Sequence, residues 1–264
     1  MSGPEGAAPQ RGPEPIWRAL GMGGAALALV AMAWAHLAGG GAVDPMTGLI
    51  SDYALLDGTA WALVGGTLAL AAGCLWTAYG LAGTDPAGSA AARVLLVAAA
   101  LGLLLTASFP TDAAPGVVSI TGEIHRWSAA VVFTALPCAG RLLGRRSGDT
   151  LLSAVSALSV LLLAAFLAAH PGSLTADLID GPAYYGLVER LLMLAEIVLV
   201  FLAARGVGGQ RGRGVGVQHR QGMVGGLLQR PARAGELGPR VPATAHPGAD
   251  GRQRPREPLG LGSV

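Results

Sequence analysis

Three charged residues interrupt an apolar run: "GLVERLLMLAEIVLV", Gly186 to Val200, carries Glu189, Arg190 and Glu196. On a helix, Glu189 and Glu196 share one face, with Met193 between them and Tyr185 one turn before Glu189. If Tyr184 marks the membrane edge, a rise of ~1.5 Å per residue places Glu189 ~7 Å deep and Glu196 ~18 Å deep. A charge at the bilayer centre costs ~3 kcal/mol on insertion scales, so this face is expected to look into protein rather than lipid. Arg190 projects about 100° away from Glu189 around the helix, which makes the two poor partners. Acidic groups of the loops are the expected partners of Arg190. Such groups serve either as a structural pairing that fixes helix register or as the lining of a functional site.

Other polar residues fall near the ends of apolar segments. "ISDY" supplies Ser51, Asp52 and Tyr53; "SFPTDAAPG" supplies Thr111 and Asp112; "GEIHR" supplies Glu123, His125 and Arg126; His36 and His170 close two further segments. All lie on the side from which Glu189 is reached. The expectation is a single outward-opening polar pocket lined by Asp52, Asp112, His125, Glu189 and Arg190. Acidic loops around it suit a small ligand, cationic or lipidic.

These residue types limit the chemistry. A metal site could draw on His125 with Asp52, Asp112 or Glu123, but neither an HExxH nor an HxxxH pair is present. His36, His125 and His170 share one side, which argues against haems on both sides of a membrane. No cofactor is expected. Hydrolysis of an outer-leaflet lipid would use His125 as base, Asp112 or Asp52 to polarise it and Ser51 as nucleophile, although nothing resembles a nucleophile elbow. Proton-coupled transport would use the two carboxylates of the last helix as a relay. A binding or sensing protein is favoured over an enzyme, with membrane lipid and an unknown small ligand as partners.

The segments that must position these groups are plain. The chain of 264 residues is 52% hydrophobic and 13% charged, against about 25% charged in an ordinary soluble domain. Its apolar residues form six blocks: Ala19 to Ala38, Ala60 to Leu81, Ala92 to Ser108, Trp127 to Leu143, Leu151 to Ala169 and Ala183 to Ala204. Each is long enough to cross about 30 Å of hydrocarbon. The first is read as an anchor, because its apolar run exceeds a usual signal core. Arg11, Arg18, Arg93, Arg141, Arg145 and Arg146 fall on one side and Arg126 alone on the other. Basic residues resist translocation, so both termini are expected in the cytoplasm. Trp17, Trp34, Trp61, Trp76 and Trp127 lie near block ends as an interfacial belt. Cys74 and Cys138, both inside apolar blocks, read as free thiols. Gly65-Gly66 and the small residues of the first block read as close-packing positions.

The expected fold is all-α, a six-helix transmembrane bundle with a disordered C-terminal tail. Residues 1–15 form a disordered N-terminus, 16–205 the six-span domain and 206–264 a Gly/Arg/Pro-rich tail. Residues 1–204 hold 8 Arg against 13 acidic groups, whereas 205–264 hold 10 Arg against 3. The abrupt change after Ala204 has the character of a solvated tail, or of a shifted reading frame in a GC-rich gene. Nucleic acid is not an expected partner, because the Gly-Arg run lacks aromatic residues to stack on bases.

"ISDY" after the first block, "FPTD" followed by Gly116 and then His125, and "GLVER" in the sixth together resemble the domain of unknown function 998 family of multi-pass bacterial membrane proteins. The likeness covers roughly residues 16–205. It implies that Asp52, Pro110, Asp112, His125 and Arg190 match the family's polar positions, and it implies no activity. The tail from Gly206 departs from the family's pattern.

Overall fold

A computed structural model describes residues 16–112 and 117–208. The expectations for the N-terminus, for Gly116 and for the tail beyond residue 208 lie outside the described residues. Within them every regular element is a helix: α1 Ile16–Ala38, α2 Ala60–Thr84, α3 Ala90–Ser108, α4 Ile120–Ser147, α5 Thr150–Ala169 and α6 Tyr185–Gly206. Two short 3-10 turns, Ile50–Leu55 and Gly181–Tyr184, lie before α2 and α6. The observed helices match the six apolar blocks. The main difference is α4, which starts seven residues before Trp127: Ser119 caps it by accepting from the Gly122 amide at 3.0 Å, so "GEIHR" belongs to its first two turns.

The helices run up and down. Each packs on its neighbours in chain order, and α6 returns to α1. This puts the connections α1–α2, α3–α4 and α5–α6 at one end, the loop end, and the shorter α2–α3 and α4–α5 connections at the other, the turn end. Helix α6 leans inward and also touches α2 and α4. Thirteen of its 22 residues are buried, against four of 23 in α1 and four of 20 in α5, so α6 is the enclosed helix and the other two lie on the outside of the bundle.

Five helices, α1 to α5, are long and apolar enough to cross a membrane by themselves. Helix α6 matches them in length but carries three charges in its interior, which its central place in the bundle shelters. The molecule is thus a six-helix transmembrane bundle. Aromatic rings mark both ends: Trp34 lies 6.4 Å from Trp61 at the loop end, and Trp17 stacks on Trp76 at 5.3 Å at the turn end.

Helices α1 and α2 approach closely because small residues meet. A Cβ on Gly24 would fall 2.5 Å from the Ala69 carbonyl oxygen and 2.8 Å from the Gly73 Cα. Gly66 likewise abuts Ala31, whereas Gly65 faces open space, so the packing role falls to Gly66 alone of that pair. Cys74 is buried, Cys138 exposed, and both are free.

Candidate functional site

The polar groups of α6 find partners in the α1–α2 connection. Met46 accepts from the Leu187 amide at 3.1 Å, which lays this connection across the start of α6. Two residues further along α6, Glu189 Oε2 accepts from the Ile50 amide at 2.5 Å. Ile50 opens the 3-10 turn "ISDYAL", and Asp52 Oδ2 accepts from the Leu49 amide at 2.8 Å, capping the same turn. Two carboxylates on different segments therefore fix one short piece of backbone.

Arg190 is the hub. Its Nη1 donates to the Gly48 carbonyl at 2.6 Å and to the Gly186 carbonyl at 2.9 Å, and its Nε donates to His36 Nε2 at 2.8 Å. The Tyr53 ring lies under the guanidinium, 5.8 Å from Cζ to the ring centroid. His36 Nδ1 faces the Met32 carbonyl at 3.0 Å. A carbonyl only accepts, so Nδ1 carries the hydrogen and Nε2 offers its lone pair to Arg190; both bonds together require the neutral ring. The remaining nitrogen, Nη2, is buried without a hydrogen-bond partner.

Among the described residues no carboxylate pairs with Arg190, contrary to the expectation of an acidic loop partner. Backbone carbonyls and a neutral histidine take that place. Glu189 and Arg190 are each 7% exposed, so neither meets lipid. A cavity of about 20 Å³ bounded by Met32, Ile50 and Met193 lies below the cluster, room for about one water.

Asp112 and His125 form a second cluster at the same end, on the α3–α4 corner. Asp112 Oδ1 accepts from Ser119 Oγ at 2.5 Å, and its Oδ2 lies 3.2 Å from Arg126, which also pairs with Glu123 at 2.7 Å. His125 Nδ1 donates to the Phe109 carbonyl at 2.8 Å. These bonds tie the end of α3 to the start of α4. Of the five residues expected to line one pocket, Asp52, Glu189 and Arg190 come together, while Asp112 and His125 share no hydrogen bond with them.

A family model described as a protein of unknown function, DUF998, matches residues 22–206. The chain belongs to the DUF998 family. The match runs from the first turns of α1 to the end of α6, so the DUF998 domain is the bundle itself and contains both clusters. No curated protein and no solved structure matches the chain.

Several residues of the DUF998 cluster escaped the reading by residue type. Residue type marks His36 as a histidine at the end of an apolar segment and Tyr53 as part of "ISDY", and marks neither as a partner of Arg190. Gly48 and Gly186 contribute carbonyl oxygens, which no side-chain pattern reveals. Gly186 did carry a signal, since it stands four residues before Arg190 in "GLVER", where a long side chain folds back along its own helix.

Proposed function

We propose that this DUF998 protein is a binding or sensing protein of a bacterial cytoplasmic membrane, with both termini cytoplasmic and the loop end facing outward. Its ligand is small, extracytoplasmic or lipidic, and is held at the cluster formed by Arg190, Glu189 and Asp52. Asp112 and His125 brace the neighbouring corner of the same face. One observation carries the reading: Arg190 is anchored on three acceptors, yet its Nη2 is buried with none. A buried charged donor left unpaired is costly, so a site that keeps one is a place for an incoming acceptor. Glu189 and Asp52 beside it suit a ligand that also bears positive charge.

A lipid hydrolase finds less support. His125 commits Nδ1 to the Phe109 carbonyl, and Ser51 sits in the other cluster, within the 3-10 turn.

Native mass spectrometry of the full-length protein released from detergent tests the proposal. Wild type is expected to retain a bound lipid or small molecule that Arg190→Gln loses, while Asp149→Asn, at the turn end, keeps it. An empty wild-type protein, or equal retention by Arg190→Gln, contradicts the proposal.

A further inference from the structure

Two turns inward from Glu189, on the same face of α6, a second carboxyl is more deeply enclosed. Glu196 has 0% exposure. Its Oε1 accepts from Ser159 Oγ of α5 at 2.5 Å, and its Oε2 is buried with no hydrogen-bond partner. No ion pair among the described residues reaches it.

The helices packed around α6 bring no cation to this level. Helix α5 has no titratable residue, and those of α1, Arg18 and His36, lie near its two ends. Helix α4 carries its acidic, histidine and arginine side chains in its first two and last two turns, and its Cys138 is exposed. Helix α2 contributes buried Cys74, close enough to interact electrostatically with Glu196, and Tyr79 near its turn end. On α6 itself, Glu189 and Arg190 are committed to the loop-end cluster, and Arg205 reaches Asp149 at 3.4 Å.

A carboxylate with no counter-ion in a low-dielectric interior is strongly disfavoured, and one hydroxyl donor does not replace a cation. The neutral acid removes the charge while keeping the Ser159 bond. We propose that Glu196, together with Ser159, is a reversible proton-binding site at the middle of the bundle, separate from the Arg190 cluster. On release, the O–H bond at Oε2 breaks and the proton passes to hydroxide or a buffer base. The carboxylate left behind keeps the Ser159 hydroxyl as its donor and sets an unpaired charge between α5 and α6. The ligand of this site is a proton, which would make the α5–α6 seam responsive to pH. This goes beyond the ligand reading above and does not depend on it.

Infrared difference spectroscopy of the full-length protein in lipid tests the assignment. At neutral pH, wild type minus Glu196→Gln is expected to show the C=O stretch of one carboxylic acid. Raising the pH should convert it reversibly to carboxylate bands. Arg190→Gln should keep the band, which separates failure here from failure of the ligand reading. Ser159→Ala retains Glu196 and should shift the band frequency, because the hydrogen bond at Oε1 is gone; this arm remains readable should Glu196→Gln fail to fold. Carboxylate bands alone at neutral pH would overturn the proposal. So would an acid band that persists at every pH where the protein stays folded, or one indifferent to Ser159→Ala.

Discussion

Arg190→Ala is expected to lower the stability of the bundle by about 4 kcal/mol, measured by thermal or denaturant unfolding in detergent. Two effects add. The Gly48 carbonyl and His36 Nε2 lose the donor that satisfies them, and both are half-buried where α1 and the α1–α2 connection pack on α6. Half-buried acceptors left in this state fall at the lower end of the cost for buried ones, about 1 kcal/mol each. Glu189 also loses the nearby positive charge and keeps only the Ile50 amide. Relief from burying a guanidinium offsets part of this loss, and the hydrogen bonds decide the sign because three of them converge on a single side chain. Arg190→Lys should recover less than half of the loss, since an ammonium cannot span His36, Gly48 and Gly186 with a rigid fork.

Gly186→Ala should rank next, at about 3 kcal/mol, although alanine is ordinarily the better helix former. A Cβ at Gly186 would collide with the Gly48 carbonyl and lie 2.8 Å from Arg190 Nη1. The obstacle is backbone, so no rotamer change relieves it. The connection must lift from α6, which also breaks the Leu187–Met46 hydrogen bond of 3.1 Å. Gly23→Ala and Gly65→Ala supply the contrast, because a Cβ at either meets nothing within 4 Å. Those two should be neutral or stabilising by up to about 1 kcal/mol in the same assay. Equal losses at all three positions would mean that helix propensity or general fragility, not contact with Gly48, sets the response.

Residue pattern made the scaffold legible to different depths. The six helices could be read because about 20 apolar residues in a row have few alternatives to a span. Helix α6 was the informative exception: its three charges break the apolar rule, and the rule holds once the helix sits inside the others. The enclosure of Glu189, Arg190 and Glu196 followed from the cost of exposing them to hydrocarbon. Their partners did not, because Arg190 took the carbonyls of two glycines and a neutral histidine where opposite charge pointed to a loop carboxylate. Carbonyl acceptors have no sequence signature. Ser159 was hidden for a related reason: a serine in an apolar helix usually bonds its own backbone, as Ser156 does to the Leu152 carbonyl at 2.7 Å, and only the facing helix shows that Ser159 does not. Asp112 and His125 read as pocket residues because they share an end of the bundle with Arg190. Their bonds to Ser119, Arg126 and Phe109 instead close a corner between consecutive helices.

Helices α1 and α6 are joined at the loop end through the His36–Arg190 bond, on which the cluster depends. A double-mutant cycle measures that bond directly, using unfolding free energies of wild type, His36→Ala, Arg190→Gln and the double variant. The predicted coupling is at least about 1.5 kcal/mol, because removing His36 leaves Nε of the buried Arg190 unpaired and removing Arg190 leaves the half-buried His36 Nε2 without its donor. Additive losses, with coupling within about 0.5 kcal/mol of zero, would show that the two side chains do not meet, and the cluster built on Arg190 would not stand.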